Sequence, residues 1–219
     1  MKFFNSCWML IVVLLSCVSA LAGETPLEEK LDTAFQKGDL SGLHSVYILH
    51  KGEVLAERYY SGQDQRWGTS LGEIKHSAYQ LHDLRSISKS ITSLLYGIAL
   101  EEGIVPTLDA VVIDQFPEYD DLSNDQERRK ILIRDVLSMQ MGTDWDENLP
   151  YSDPRNSEIA MENSSDRYRF VLDRPMVSTP GEKWTYNGGA TALIAGLIAK
   201  GAGKPLDAYA KEKGSSPLC

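Results

Sequence analysis

The sequence contains one place where a serine is followed three positions later by a lysine, at Ser86 and Lys89. Residues three apart share one face of a helix, so the lysine amine can reach the serine hydroxyl. The start of a helix disfavours a nearby ammonium ion, and burial lowers the pKa of a lysine, so both effects favour a neutral amine. The pair therefore predicts a nucleophilic Ser86 with Lys89 as its base. The spacing alone leaves open a solvated lysine beside a helix-capping serine.

A triad of serine, histidine and acid is the rival nucleophile system. The chain has four histidines, at positions 44, 50, 76 and 82. No serine lies in a Gly-x-Ser-x-Gly elbow, and His82 would have to fold back along its own strand to reach Ser86. His44 and His50 fit the surface of a hairpin, and none of the four histidines has the sequence spacing of a metal site. The sequence therefore favours the serine–lysine pair and predicts no metal.

The apolar pattern indicates which elements position this pair. From Ser86 to Glu102 apolar residues recur every three or four positions, and Gly103 lies where a helix would end. Small residues on the opposite face predict that another element packs closely there and that the helix is central. The other predicted elements are a helix over 27–37, a hairpin over 44–60, a loop over 61–70, a short helix over 131–137 running towards 142, an irregular segment over 144–163 and a helix over 190–202.

The N-terminus has the layout of a secretory signal peptide. A basic residue, Lys2, precedes an apolar run over 8–15 and the small-residue triplet Ala20-Leu21-Ala22. We expect cleavage after Ala22 and a periplasmic or secreted product. Because the apolar run is shorter than the roughly 20 residues that a spanning helix needs, we predict no transmembrane segment. Lipid attachment at Cys17 is the alternative that this segment leaves open.

The predicted mature chain, residues 23–219, is long enough for one domain with a core. Of the three cysteines only Cys219 lies outside the signal peptide, so no internal disulfide is expected. Removal of Lys2 changes the net charge from -9 to -10, because residues 1–22 contain no acid. An acidic surface disfavours nucleic acid and anionic membranes as partners.

The segment 84–92, Leu-Arg-Ser-Ile-Ser-Lys-Ser-Ile-Thr, resembles the active-site helix of the penicillin-recognising serine hydrolases. The similarity is to the class C β-lactamase-related group, which includes esterases, D-amino-acid peptidases and aminohexanoate-oligomer hydrolases. The hairpin, the 131–142 segment and the segment 180–187 follow in the family's order, so the resemblance covers residues 40–213. It implies an α/β (α+β) fold of the β-lactamase/transpeptidase type, with helices packed on an antiparallel sheet.

The resemblance also implies roles for three further residues. The family's second motif, Tyr-x-Asn, places Tyr186 opposite the serine and lysine, where it would relay the proton to the leaving group. Here Asn187 follows the tyrosine directly and Gly188 occupies the usual asparagine position. Asn187 and Trp145 are the expected substrate contacts, with Trp145 either lining the cleft or anchoring a turn. The acids beside Trp145 are expected to form a solvated loop.

The family's third motif, Lys or His followed by Ser or Thr and then Gly, does not occur in this sequence. In the family it lies on a strand that supplies the second oxyanion donor, so we expect a partial domain that lacks the C-terminal strands of the sheet. The predicted function is hydrolysis of a small amide or ester through an acyl-enzyme at Ser86, without a metal or organic cofactor. The alternative is an inactive, truncated remnant or binding protein of the same family.

Overall fold

The computed structural model describes residues 26–66 and 69–214. They divide into two compact units, and the boundary in the sequence falls between Asp83 and Leu84. The predicted signal peptide over 1–22, the lipid-attachment alternative at Cys17 and the terminal Cys219 lie outside the described residues. None of the helices in the described part of the chain is long and apolar enough to cross a membrane.

The first unit consists of one helix and two antiparallel hairpins. Strand β1 pairs with β2, and β3 pairs with β4. The predicted hairpin over 44–60 is confirmed: its turn residues Lys51 and Gly52 have φ angles of +50° and +85°, as a two-residue type I′ turn requires. The elements of this unit are α1 (Leu27–Gln36), β1 (Ser45–His50), β2 (Glu53–Tyr59), β3 (Ser61–Arg66) and β4 (Thr69–Lys75).

Helix α1, which confirms the helix predicted over 27–37, is attached to β2 by polar and aromatic contacts. The Arg58 guanidinium donates to Asp32 at 3.1 Å, and the Tyr60 hydroxyl donates to the same carboxylate at 3.0 Å. The rings of Phe35 and Tyr60 stack with centroids 4.0 Å apart. Among the described residues of this unit, Ala56 is the only buried hydrophobic side chain. The unit therefore has little apolar core of its own.

The loop predicted over 61–70 is wrong, because most of this segment forms the β3–β4 hairpin. Its strands pair from Ser61 with Lys75 to Arg66 with Thr69. Glycine and aspartate in β3 are typical of turns, and the strand lacks the apolar alternation that identifies a half-buried strand. Pairing with the adjacent strand β4 forms the strand, and the residue types of β3 carry no signal of this pairing.

The second unit is helical, with its core around α7. Helix α7 packs against α2, α4, α6 and α8, and its residues Leu193 and Ile198 are fully buried. The helix predicted over 190–202 is therefore confirmed and begins two residues earlier. The helices are α2 (Ile87–Glu101), α3 (Asp120–Ser123), α4 (Ile133–Leu137), α5 (Ser157–Glu162), α6 (Arg167–Leu172), α7 (Gly188–Ala202) and α8 (Leu206–Gly214).

Helix α2 confirms the helix predicted from Ser86, but the prediction that it is packed on two sides is wrong. One face is buried through Leu95, Tyr96 and Ala99. On the small-residue face Ser90, Ser93 and Gly97 are exposed. Ile87 and Leu94, which belong to the apolar period, are also 62% and 54% exposed. The apolar period correctly identified the helix, because it reports which residues share a face. It does not report how many neighbours the helix has.

Two other predictions for this unit need correction. The helix expected over 131–137 begins at Ile133, because Leu132 is extended and pairs with Val111 in a β-bridge. The segment over 144–163, predicted to be irregular, contains α5. Its start is fixed by Asn156, whose side-chain oxygen accepts hydrogen bonds from the N–H groups of Glu158 and Ile159.

Candidate active site

Ser86 lies at the first turn of α2, with its side chain exposed. It is the N-cap residue, yet its hydroxyl makes no capping hydrogen bond. The preceding residue, Arg85, has a φ of +47°, a left-handed conformation that is uncommon for residues other than glycine. Such backbone strain clusters at functional sites. The turn into α2 therefore leaves the Ser86 hydroxyl exposed and not engaged as a cap, so that it can react.

Lys89 and Tyr186 lie beside this serine. The Tyr186 hydroxyl is 2.6 Å from Ser86 Oγ, and either atom can donate the hydrogen. Lys89 Nζ lies 4.9 Å from the centroid of the Tyr186 ring, within the range of a cation–π contact. The structure thus brings together the three residues predicted to be catalytic, and the hydroxyl partner of Ser86 is a tyrosine.

Tyr186 is positioned by backbone hydrogen bonds on its N-terminal side and by a helix cap on the other. The Gly181 N–H donates to Gln140 O at 2.8 Å, and the Thr185 N–H donates to Met139 O at 3.0 Å. Gly181 has a φ of +84°, a conformation for which glycine is suited. The tyrosine therefore emerges from a segment that is held at both ends.

Asn187 is the N-cap of α7. Its side-chain oxygen accepts a hydrogen bond from the Ala190 N–H at 2.9 Å, and the residue is 3% exposed. A capping oxygen satisfies one of the donors that every helix start leaves unpaired. The structure therefore favours a structural role for Asn187 over the substrate contact that the resemblance implies.

Trp145 is a core residue, being 5% exposed. Its ring packs edge-on against Phe170 with centroids 6.2 Å apart, and its Nε1–H donates to Glu147 Oε1 at 2.6 Å. Trp145 contributes to the wall of a surface cleft of about 360 Å³ that Trp184 and Tyr186 also line. Most contacts of Trp145 therefore anchor the loop to the core. A contact between Trp145 and substrate stays a prediction.

Sequence reasoning missed a pair of carboxyl groups at the start of α7. Glu147 was expected in a solvated loop, but it is half-buried and also accepts a hydrogen bond from the Gly188 N–H. A Cβ atom at Gly188 would lie 3.0 Å from the Glu158 carboxyl and 3.1 Å from that of Glu147. Burial, reinforced by the charge of Glu147, raises the pKa of Glu158, which the charge of Lys89 partly offsets. Carboxyl groups fill the space where the family motif has an asparagine side chain.

The other acids of this loop behave as predicted for solvated residues. Asp144 is exposed and pairs with Arg174 at 2.7 Å, and Asp146 is exposed and accepts from the Asn148 N–H at 2.8 Å.

The backbone N–H of Ser86 makes no backbone hydrogen bond with any residue in the described ranges. It is therefore available as one oxyanion donor, as any first-turn N–H can be.

A helix that begins at a serine, with a lysine one turn on and a tyrosine whose hydroxyl contacts the serine and whose ring lies beside the lysine, defines a site of the penicillin-recognising type. Residues 28–218 match the sequence profile of the family described as Beta-lactamase. This chain belongs to that family, which confirms the resemblance noted in the sequence. No curated protein matches the chain.

Solved structures share the fold. FmtA from Staphylococcus aureus is 22% identical with a TM-score of 0.58, and the match covers 87% of this chain and 48% of that one. A D-amino acid amidase from Ochrobactrum anthropi SV3 is 18% identical, with a TM-score of 0.56 and the same coverage. A family VIII carboxylesterase is 20% identical, with a TM-score of 0.59, again covering 87% and 48%. The chain thus has the β-lactamase/transpeptidase-like α+β fold and spans about half the length of these structures.

Proposed function

We propose that this protein is a serine hydrolase that cleaves a small amide or ester through a covalent acyl-enzyme at Ser86. The observation that carries the proposal is the 2.6 Å contact between Ser86 Oγ and the Tyr186 hydroxyl, beside the Lys89 amine. Membership of the Beta-lactamase family supports this reaction class. Two proteins of similar fold, an amidase and a carboxylesterase, also support it.

In the first half of the reaction, Ser86 Oγ attacks the carbonyl carbon of the substrate and gives its proton to the Tyr186 oxygen, while the Tyr186 hydroxyl gives its own proton to the neutral Lys89 amine. The carbonyl oxygen becomes an oxyanion, towards which the Ser86 N–H can donate. When the tetrahedral intermediate collapses, the bond to the amine or alcohol breaks, and Tyr186 returns the proton to that leaving group.

In the second half, water replaces the leaving group. Tyr186 takes one proton from the water as its oxygen attacks the acyl carbon, and passes its own hydroxyl proton to the Lys89 amine. The ester bond to Ser86 then breaks, and Ser86 Oγ regains a proton. The products of this half are a carboxylic acid and the free enzyme. Substrate and water account for all atoms of the reaction, so it needs no cofactor. A phenol with an ammonium beside it suits this role, because the positive charge stabilises the phenolate.

The test uses the 219-residue chain, purified without a tag. A cooperative unfolding transition shows first that the protein is folded. It is incubated with a fluorophosphonate, and the adduct is located by mass spectrometry. We expect one adduct, on Ser86, which Ser86→Ala abolishes. The matched control is Ser90→Ala, which removes an exposed serine of the same helix and should label like the wild type.

Two results would contradict the proposal. One is a folded chain that gives no adduct and hydrolyses no nitrophenyl ester, as expected for the inactive remnant or binding protein. The other is equal labelling of the wild type and Ser86→Ala, which would place the nucleophile elsewhere.

We also propose that the protein is exported, which the signal-like layout of residues 1–22 supports. Expression of the whole chain in a bacterial host should give a periplasmic or secreted product whose first residue is Gly23. N-terminal sequencing checks this. An acylated N-terminal Cys17 would instead support lipid attachment, and an intact Met1 in the cytoplasm would exclude export.

A further inference from the structure

A second cluster of reactive side chains lies within the first unit. One member directly precedes β1, one lies in β3, and two lie in the segment that follows β4. Each offers one ligand atom, and these atoms all lie within 4.8 Å of one another. The members are His44, Asp64, His76 and His82.

His76 is the buried member of this cluster. It is 5% exposed, and neither of its ring nitrogens has a hydrogen-bond partner. Its ring stacks on that of His44, with centroids 4.1 Å apart. Burying a polar group without a partner costs free energy, so a buried imidazole with two unpaired nitrogens requires an explanation.

The hydrogen bonds of the other two histidines determine their tautomers. His44 Nε2 lies 3.1 Å from the carbonyl oxygen of Gln63, and His82 Nδ1 lies 3.3 Å from that of Asp83. A carbonyl oxygen only accepts, so each of these nitrogens carries the hydrogen. In the neutral rings, His44 Nδ1 and His82 Nε2 are then both acceptors, and they lie 2.7 Å apart. Two facing lone pairs need a proton or a cation between them.

We propose that this cluster is a zinc site with four protein ligands, namely His44, Asp64, His76 and His82. Tetrahedral zinc with bonds of about 2.0 to 2.2 Å holds its ligand atoms roughly 3.3 to 3.6 Å apart. His44 Nδ1 and His82 Nε2 lie 2.7 Å apart, and all four ligand atoms lie within 4.8 Å of one another, so the ligand atoms are gathered at the scale of such a shell. Imidazole nitrogen suits zinc, whereas magnesium and calcium prefer oxygen ligands.

The surroundings of the cluster fit a metal site as well. Metal-bound histidines usually donate their second N–H to a carbonyl or carboxylate, which fixes the ring and its tautomer. Gln63 and Asp83 supply such carbonyls for His44 and His82. Three imidazoles and one carboxylate complete a tetrahedral shell and leave no open position, which is the pattern of a structural site.

A structural metal would also fit the composition of this unit. Ala56 is its only buried hydrophobic side chain among the residues described. Small units with little core commonly depend on a metal or disulfides for stability. The proposed ion would link both hairpins to the segment after β4, and its binding free energy would become folding free energy.

The experiment uses the whole printed chain without a histidine tag, freed of metal by a chelator that is then removed by dialysis. Zinc chloride is titrated in competition with a chromophoric chelator, and cobalt chloride is added separately. We expect one zinc per chain, a tetrahedral cobalt spectrum and a higher thermal unfolding temperature with zinc. His82→Ala and Asp64→Asn remove exposed or half-exposed ligands, so they spare the buried His76. Each variant should lower the affinity for zinc. The loss should exceed the roughly 10- to 100-fold that removal of an outer-shell partner causes.

The matched control is His50→Ala, because His50 is an exposed histidine outside the cluster. It should bind zinc like the wild type. The proposal is overturned if the wild type binds no zinc stoichiometrically, if both ligand variants bind as tightly as the wild type, or if His50→Ala weakens binding equally. Circular dichroism of the metal-free variants separates lost ligation from lost folding. Since the readout is metal binding, its failure would leave the Ser86 chemistry untouched.

Discussion

The hydroxyl groups of Ser86 and Tyr186 lie 2.6 Å apart, although the two residues are separated by 100 positions in the sequence. Ser86 is held by the first turn of α2, and Tyr186 precedes the cap of α7. Because α2 and α7 pack against each other, the packing of two helices sets the distance between the two hydroxyls. A change that shifts either helix should therefore alter the chemistry before it unfolds the protein.

Tyr186→Phe removes the hydroxyl that contacts Ser86 and keeps the ring beside Lys89. We expect kcat on a nitrophenyl ester to fall by about 10² to 10⁴, the usual contribution of a positioned acid or base. The unfolding midpoint should change little, because the hydroxyl lies at an exposed serine. Tyr79→Phe, which changes a tyrosine that is 95% exposed, is the matched control. Equal activity of Tyr186→Phe and the wild type would exclude the proposed relay.

Asn187→Ala removes the cap of α7 and tests whether this residue is structural. We expect the free energy of unfolding to fall by about 1 kcal/mol, the typical value of a cap, as measured by urea denaturation. KM for the ester should stay unchanged if Asn187 does not contact the substrate. Asn124→Ala, at an exposed asparagine, should leave both quantities unchanged. A raised KM without loss of stability would instead support the substrate contact.

Glu158→Gln tests the carboxyl pair through the pH dependence of stability. The pKa of Glu158 is raised in the folded protein, so the folded state binds more protons than the unfolded state between the two pKa values. Stability should therefore fall as the pH rises from about 4.3, the ordinary glutamate value, to the raised value, and stay constant above it. The stability of Glu158→Gln should not fall over this pH range. At neutral pH the variant should therefore be more stable than the wild type.

Urea denaturation at a series of pH values measures this difference. The matched control is Glu101→Gln, which changes an exposed glutamate and should keep the pH profile of the wild type. If Glu158→Gln and the wild type had parallel profiles across this range, the carboxyl pair would not be coupled to folding.

Substitution of two helix glycines by alanine should change the free energy of unfolding in opposite directions. At Gly189 an added Cβ would lie 2.5 Å from Val171 Cγ2 and 2.6 Å from Trp145 Cη2, so Gly189→Ala should destabilise the protein by about 1 to 3 kcal/mol. At Gly97 an added Cβ meets nothing within 4 Å. Gly97→Ala should therefore stabilise α2 by about 0.5 to 1 kcal/mol. Thermal unfolding of both variants provides the comparison, and a stabilised Gly189→Ala would show that the core there is loosely packed.

Local sequence patterns were enough to predict the main helices and one hairpin. The three- and four-residue apolar period predicted α2, because such a period reports one buried face. The Lys51-Gly52 turn predicted the first hairpin, because its backbone favours residues that tolerate positive φ. The serine–lysine spacing predicted that Ser86 and Lys89 share a helix turn. Each of these features depends on residues close together in the chain.

Features without a local apolar or turn signal were missed. The β3–β4 hairpin is as local as the first one, yet it was predicted as a loop, since its strands carry turn-forming and polar residues. Glu147 was placed in solvent, although the backbone of α7 and Glu158 enclose it. The substrate contact of Asn187 stays a prediction, and its burial as the cap of α7 was not foreseen because a motif gives a residue type and no burial. In each case the residue types carry no local signal of the contact that they make.

The sequence by itself determined the kind of chemistry at the candidate site, because a nucleophile and a base one helical turn apart are encoded within four residues. The tertiary structure decided which tyrosine meets that serine hydroxyl and which carboxyl groups fill the place of the family's asparagine. It also decided that three of four histidines, at positions 44 to 82 and without recognisable spacing, gather around one aspartate. Such clusters form only when strands pair, since pairing brings together residues that are far apart in the chain.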